Sequence, residues 1–254
     1  KNYSTKSSLL VYPKIIQLSN FTINSVEQMG ELPIVDLIFQ DKSRIANLRD
    51  FREGDSIKSI HWKLSAKLDD IIVKEYEKRG DAQVSIFVNN HIDCFKNDIH
   101  RHLEDKIVDI SLSIISYYIN QSIPVYFYTQ NNKERVQLQG RESSDLKGFL
   151  EFLAPFKANG NIEFSHFLAA NMDNLKKDMT IIIITPNLDK SMGALGISLK
   201  SKGLKPLFIL ALDRENNIGH LDHKVNMGLR QENIPMYILD YNTNIKEALE
   251  AKNG

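Results

Sequence analysis

The run from Thr180 to Thr185 constrains the fold of this chain more than any other segment. Its sequence, TIIIIT, is β-branched throughout, which predicts a parallel strand that is buried on both faces. From residue 82 onward, similar short apolar runs alternate with segments of helical periodicity, the longest of which spans His100 to Gln121. Repeated strand–helix units of this kind predict a doubly wound, mostly parallel α/β sheet.

The first 81 residues follow a different pattern. Short runs rich in β-branched and aromatic residues are separated by polar turns, and they predict strands at 9–12, 15–16, 32–39 and 71–73. We therefore predict two units. The first is a β-rich subdomain over residues 1–81, and the second is an α/β domain over residues 82–254.

Composition argues against several classes of function. The 254 residues contain 32 Lys and Arg against 32 Asp and Glu, and this zero net charge disfavours a nucleic-acid-binding protein. The absence of G-x-G-x-x-G, G-x-x-x-x-G-K-[ST] and G-x-S-x-G motifs disfavours dinucleotide enzymes, P-loop NTPases and α/β-hydrolases, and we expect no cofactor. The single cysteine, Cys94, cannot form an internal disulfide, which fits a reducing compartment.

Polar side chains follow the predicted parallel strands at their carboxyl ends, where open α/β sheets bind ligands. His91 and Asp93 follow the first of these strands, and Asp213 follows the strand predicted at 206–212. If these three side chains converge, they supply the acid–base groups of a Rossmann-like hydrolase. The alternative interpretation is that they are ordinary polar residues of surface loops.

The segment from Arg49 to Lys67, RDFREGDSIKSIHWKLSAK, combines many charged residues with the only tryptophan, Trp62. Gly54 and Asp55 indicate a turn. An ion pair between Arg49 and Asp55 would fix that turn, and we expect it to be partly buried.

A short helix is predicted after this turn, capped at residue 55 or 56. It would carry Ile57, Ile60 and Leu64 on one face. Trp62 beside these apolar residues has two interpretations. It is either an anchor in a hydrophobic core or part of a basic and aromatic docking surface.

Together with the strand that follows it, this segment resembles the signature of the bacterial "domain of unknown function 58" family. The matching positions are Arg49, Phe51, Gly54, Asp55, Lys58, Ile60, Trp62, Ala66, Lys67 and Glu75. Lys58 and Lys67 stand where the family usually has arginine, and lysine lacks the bidentate geometry of a guanidinium group. The remainder of the chain is similar to the family only in the order of its predicted elements.

The resemblance implies a von Willebrand factor A-like α/β domain, whose metal site can be compared with this sequence. That site uses Asp-x-Ser-x-Ser after the first strand, together with threonine and aspartate from later loops. The corresponding residues here are Asn89, His91, Asp93 and Thr185. Because a hard divalent cation needs charged or well-placed oxygen ligands and only Asp93 supplies a carboxylate, we predict that this site binds no metal.

The resemblance also implies a role in protein interaction. Members of the family are often anchored by transmembrane helices that precede the domain, which agrees with a chain that begins at Lys1, and they are often associated with MoxR-type AAA-plus ATPases. We therefore expect a non-enzymatic module with a protein partner, located on the cytoplasmic side of the cell membrane. We expect membrane contact only through a segment outside this chain.

Two other hypotheses remain open at this point. One is the Rossmann-like hydrolase built on His91, Asp93 and Asp213. The other is cation-dependent adhesion, which the predicted loss of the metal site disfavours.

Overall fold

The computed structural model describes residues 11–19, 21, 40–52, 55, 57–78, 83–132 and 134–250. The strand predicted at 32–39, the beginning of the one predicted at 9–12 and the signature residue Gly54 lie outside this description. Within it, a two-stranded β subdomain precedes a six-stranded sheet with helices on both faces.

The β subdomain is an antiparallel pair of strands, β1 (Gln40–Asp50) and β2 (Ile72–Lys78). Between them lie a single 3₁₀ turn at Ile57–Ser59 and the short helix α1 (Trp62–Leu68). The hydroxyl group of Ser65 joins α1 to β2, since its Oγ accepts the Ile72 N–H at 2.9 Å. The predicted β-rich character of this part of the chain is therefore confirmed.

The predicted start of the short helix is wrong. The helix begins at Trp62, and His61 caps it by accepting the Leu64 N–H on Nδ1 at 3.2 Å. Asp55 lies seven residues before this start, and its carboxylate accepts hydrogen bonds from the Arg49 side chain and the Arg52 N–H instead.

The central sheet is built from strands whose apolar residues face both layers of the domain. Its elements and two short neighbouring strands are β3 (Val84–Val88), β4 (Val125–Asn131), β5 (Glu134–Gly140), β6 (Thr180–Thr185), β7 (Asn187–Leu188), β8 (Lys205–Leu212), β9 (His220–Leu221) and β10 (Met236–Asp240). The sheet has the order β10–β8–β6–β3–β4–β5, and only the edge strand β5 is antiparallel to its neighbour. All six residues of β6 are buried, as their composition predicts.

Helices cover both faces of this sheet. They are α2 (His102–Ile119), α3 (Leu146–Leu153), α4 (Phe164–Ala169), α5 (Lys190–Ser201), α6 (His223–Gln231) and α7 (Ile245–Glu250). One hydrophobic core contains side chains of α2, α3 and α7, and a second core on the opposite face contains side chains of α4, α5 and α6. Within the described part of the chain, none of the helices combines the length and apolarity needed to cross a bilayer.

The strand order confirms the predicted fold class. The first strand of the sheet, β3, lies in the middle between β4 and β6, so the chain winds first in one direction and then in the other. This is a doubly wound, mostly parallel α/β sheet with an N-terminal β subdomain, the arrangement expected of a von Willebrand factor A-like domain. The switch in strand order places the carboxyl ends of β3 and β6 side by side, where such folds bind ligands.

The segment 11–19 is not a strand, although the apolar runs at 9–12 and 15–16 predict one. Its backbone N–H groups instead donate to side chains of α2. Lys14 N–H donates to Asp109 Oδ1 and Ile16 N–H donates to Ser113 Oγ, both at 3.0 Å. Side-chain acceptors on a helix thus replace the strand partner that a ladder would need.

Phe21 anchors this segment to the α/β domain. Its ring is fully buried and lies 5.6–6.5 Å, centroid to centroid, from the rings of Tyr117, Tyr118 and Tyr237. Residues before β1 therefore contribute to the core of the later unit, across the predicted boundary at residue 81.

Replacing Phe21 with alanine is expected to lower the free energy of unfolding by about 3–5 kcal/mol, because the change leaves a cavity in a fully buried aromatic cluster. Urea unfolding followed by circular dichroism measures the difference. Tyr12→Ala is the matched control in the same segment, since Tyr12 is half exposed and its loss should cost less than about 0.5 kcal/mol. Equally small effects of both changes would show that the segment adds nothing to the core.

Candidate functional site

The β subdomain is organised around the guanidinium group of Arg49. Its Nη1 and Nη2 atoms donate to the two carboxylate oxygens of Asp55 at 2.6 and 2.8 Å, and its Nε atom donates to Glu75 Oε1 at 2.6 Å. The predicted ion pair between Arg49 and Asp55 is confirmed, with bidentate geometry. The same side chain therefore ties the turn after β1 to strand β2.

The electrostatics of this cluster favour its charged form. The hydrogen bonds from Arg49, and then the Arg52 N–H at 2.7 Å, lower the pKa of Asp55 to about 2. The two carboxylates, with Asp55 the stronger influence, raise the pKa of Arg49 above its ordinary value. Because only about a quarter of the Arg49 side chain and a sixth of that of Asp55 are exposed, the pair is shielded better than an ordinary surface ion pair.

Trp62 is not a core anchor, since 64% of its surface is exposed. Ile60, with 5% exposed, fills the core position instead, and it forms a β-bridge with Val73 of β2. Trp62 occupies the first position of α1, and Ala66, four residues later, is also exposed. Of the two interpretations of Trp62, the structure therefore favours the docking surface.

Exposed apolar side chains concentrate in this part of the molecule. Seven of the thirteen large apolar side chains that are exposed in the described residues belong to the stretch 45–71, and we call these seven the Trp62 surface. They are Ile45, Leu48, Phe51, Ile57, Trp62, Leu68 and Ile71. The basic residues Lys63 and Lys67 are exposed on the same helix α1. Exposed apolar side chains mark an interaction site where they form a contiguous patch, and the grouping of these seven within one short stretch of the sequence makes this stretch a candidate.

The strand-end site brings together only two of its four predicted residues. Asn89 and Thr185 are buried at the carboxyl ends of β3 and β6, and Asn89 Nδ2 donates to Thr185 Oγ1 at 3.0 Å. The other oxygen of this amide, Asn89 Oδ1, accepts the His91 N–H at 2.9 Å. Asn187 completes the group, because its N–H donates to Thr185 Oγ1 at 3.1 Å.

Asp93 does not face this pair. Its carboxylate binds Lys96 Nζ at 2.8 Å, with more than half of its side chain exposed, and this contact lowers the pKa of Asp93. Among the described residues, no group of three or more His, Cys, Asp or Glu side chains is arranged to hold a metal ion. The four positions thus provide one buried amide, one hydroxyl, a carboxylate that binds a lysine, and a histidine that contacts Asn89 through its backbone N–H.

The three residues of the hydrolase hypothesis have separate roles. Asp213 is buried, and its two oxygens accept the backbone N–H and the Nδ2 of Asn216 at 3.1 and 2.7 Å, which closes the turn after β8. Asp93 is paired with Lys96, and His91 forms a backbone bridge with Gly160. Within the described part of the chain, no hydrogen bond joins Asp213 to either of the other two.

Cys94 lies close to the strand-end pair but is poorly suited to nucleophilic attack. Its Sγ atom accepts hydrogen bonds from Asn187 Nδ2 at 3.3 Å and, more weakly, from Asn89 Nδ2 at 3.7 Å. Burial raises the pKa of the thiol to about 11, so it stays protonated at neutral pH. No sequence pattern indicates these amide contacts, because Asn89 follows β3 and Asn187 begins β7, almost a hundred residues later.

The fold and the two sites define a doubly wound α/β domain with a β subdomain that carries exposed apolar side chains. No family model matches the chain, and no curated protein matches it.

Three solved structures illustrate what the fold is similar to. Proximal thread matrix protein 1 from the mussel byssus is 14% identical over 66% of this chain in two crystal structures, with TM-scores of 0.42 and 0.44. The match spans less than half of that protein, 46% and 45% of its chain. The conserved hypothetical protein BatB from Bacteroides thetaiotaomicron is 12% identical over 67% of this chain and 94% of its own, with a TM-score of 0.44. Structural similarities this weak do not show what the chain does.

Asp55→Asn is expected to destabilise the protein at neutral pH and to matter progressively less in acid. Folding lowers the pKa of Asp55 to about 2 from an ordinary value of 3.8. A carboxyl of this kind adds stability that is complete above about pH 5 and is lost as the pH falls through the folded-state pKa. Urea unfolding of the wild type and the variant at about pH 7 and about pH 3 measures the change.

Asp50→Asn is the control for this experiment, because the Asp50 side chain has no partner in the described cluster and only its carbonyl oxygen accepts from Arg49. Its effect should be small at both pH values. A difference between wild type and Asp55→Asn that is the same in acid and at neutral pH would contradict the ionic role of Asp55.

Titration calorimetry with Mg²⁺ or Mn²⁺ is expected to show no tight binding. The reason is that Asp93 is directed to Lys96, and that the hydroxyl of Thr185 is already hydrogen-bonded to Asn89 and Asn187. Tight binding that disappears in Asp93→Ala would show that the strand-end residues rearrange around a cation.

Proposed function

We propose that this chain is the non-enzymatic interaction module of a membrane-tethered bacterial protein, and that it works with a MoxR-type AAA-plus ATPase in the assembly or maturation of other proteins. The observation that carries the interaction role is the Trp62 surface. The ATPase partner, the tether and the cytoplasmic location rest on the resemblance of the Arg49–Glu75 signature, and the experiments below test the partner directly.

The signature residues support this proposal because some of them fix the chain and another is exposed for binding. Arg49, Asp55 and Glu75 bind one another and fix the path of the chain between β1 and β2. Ile60 is buried beneath that path, whereas Trp62 points to solvent. A rigid frame that exposes a tryptophan is suited to binding a protein, since tryptophan is enriched among the residues that dominate interface energetics and a fixed frame loses little entropy on binding.

The strand-end cleft lends less support to catalysis. A hydrolase needs a nucleophile or general base within hydrogen-bond reach of a second catalytic group. Here Asp93 binds Lys96, Asp213 closes a turn with Asn216, and the Cys94 thiol is held in its protonated form. These side chains are engaged in structural contacts, so the interaction role is the better supported of the two hypotheses.

Trp62→Ala is expected to weaken binding of the MoxR-type ATPase encoded by the same genome by roughly 30-fold or more, the effect of removing an interface hot spot of about 2 kcal/mol. Its effect on the free energy of unfolding should stay within about 0.5 kcal/mol, because the side chain is exposed. Surface plasmon resonance with the purified ATPase measures the first quantity, and a urea unfolding curve measures the second.

Met227→Ala is the matched control, because Met227 is exposed to a similar degree, 62% against 64%, but belongs to α6 of the α/β domain. It should leave ATPase binding unchanged. If Trp62→Ala lowered the free energy of unfolding by several kcal/mol, Trp62 would have to be a core anchor. Equal binding by the wild type and Trp62→Ala would refute the proposed docking role.

A further inference from the structure

A second candidate site is a cavity on the β4–β5 hairpin. The interaction role proposed above does not involve this cavity. Tyr126 and Tyr128 of β4 line it together with Arg135 and Gln137 of β5. Tyr128 pairs directly with Gln137 in the antiparallel ladder, so their side chains lie on the same face of the sheet. The segment that precedes β6 forms the other wall with Lys176 and Met179, and the cavity, which opens to solvent, has a volume of about 230 Å³.

The floor of this cavity is aromatic and firmly packed. The ring of Tyr128 is 4% exposed and stacks on the buried ring of Phe87 with a centroid distance of 4.5 Å and an interplanar angle of 8°. Met179 is also buried, and its sulfur accepts a hydrogen bond from Ser85 Oγ at 3.0 Å. A floor that is already packed from below can receive a ligand without rearranging.

The rim of the cavity is positively charged. Arg135 Nη2 donates to Gln137 Oε1 at 2.7 Å, and the centre of its guanidinium group lies 5.3 Å from the centroid of the Tyr128 ring. These contacts use one edge and one face of the group and leave further N–H donors available. In the described part of the chain, neither Arg135 nor Lys176 forms an ion pair with a carboxylate, and no Asp or Glu lines the cavity.

Two cations without acidic partners beside an aromatic floor indicate which ligand chemistry suits this cavity. The cations require an anion, and a planar guanidinium group matches the two oxygens of a carboxylate. The tyrosine and methionine surfaces require an apolar body next to that anion. The volume is below the roughly 300–1,000 Å³ of sites for drug-sized ligands, so it fits a fragment such as one aromatic ring with its carboxylate.

We propose that this cavity binds an aromatic carboxylate, with Arg135 and Lys176 contacting the carboxylate and Tyr126, Tyr128 and Met179 contacting the ring. Such a group is found both in free small molecules and at the C-terminus of a peptide that ends in an aromatic residue. The proposal is independent of the Trp62 surface, because no residue is common to the two.

The test is an NMR titration of the whole chain with two carboxylate probes, benzoate for the free acid and N-acetylphenylalanine for a peptide terminus. We expect saturable shifts of the Tyr126 and Tyr128 resonances with at least one probe. The neutral N-acetylphenylalaninamide should bind roughly tenfold or more weakly than N-acetylphenylalanine, because it cannot form the charge-assisted hydrogen bonds. Preference for one probe over the other distinguishes a small-molecule site from a peptide-terminus site.

Two variants locate the binding. Arg135→Gln and Lys176→Gln should each weaken binding of the better probe by roughly tenfold, whereas Arg230→Gln, an exposed cation on α6, should not change it. Because Lys176 lies in a loop, its variant keeps the test valid even if a change on the edge strand β5 disturbs folding. The proposal is overturned by the absence of saturable shifts, by equal affinity for the amide, or by unchanged affinity in both cavity variants.

Discussion

The whole α/β domain depends on the burial of its central parallel strands on both faces. A strand such as β6, with six buried residues, can exist only if helices cover both sides of the sheet. That requirement accounts for the two hydrophobic cores, one with α2, α3 and α7 and the other with α4, α5 and α6. It also leaves the strand ends and the two edge strands, β5 and β10, as the places on the sheet where polar chemistry is available, and the strand-end residues and the cavity at Tyr128 lie there.

The β subdomain is held together in a different way from the α/β domain. It is too small to bury a large apolar core, and α1 has no buried residue at all. The path of the chain is fixed by one arginine instead, since Arg49 binds Asp55 in the turn and Glu75 on the neighbouring strand. Beside this ionic clasp, only Ile60, Ile72 and Val73 are buried apolar residues in the described part of the subdomain, residues 40–78. Trp62 and its exposed neighbours lie outside this small core and face solvent.

Sequence patterns predict most where the information is local. The β-branched run of β6 and the apolar stripes of α2 are contained in single segments, and both elements were found where they were expected. The pair between Arg49 and Asp55 is also local, because it closes a turn. The part played by Glu75 depends on the register of β1 and β2, which is irregular between Asp41 and Asn47 and has no local signature.

The failures of prediction have equally definite causes. The run at 15–16 has the composition of a strand, but acceptors on α2 satisfy its N–H groups, and those acceptors are nearly a hundred residues away in the chain. The sequence left it undecided whether Trp62 is buried or exposed, because hydrophobicity alone does not distinguish the two on a short helix. The cavity at Tyr128 draws on β4, β5 and the segment before β6, and no sequence pattern links these three.

The strand-end residues satisfy one another with neutral hydrogen bonds, where a metal site of the von Willebrand factor A type would have charged ligands. In an A-domain metal site, a cation satisfies clustered oxygen atoms that would otherwise repel one another. Here Asn89 supplies an amide donor at the first position, so that Thr185 Oγ1 is satisfied by a neutral hydrogen bond of 3.0 Å. A buried group that is already satisfied gains little from a cation and would lose this bond to bind one. Neutral hydrogen bonds among Asn89, Thr185 and Asn187 therefore occupy these polar atoms at the ends of β3 and β6, whereas the Trp62 surface offers exposed apolar area and the cavity at Tyr128 offers positive charge.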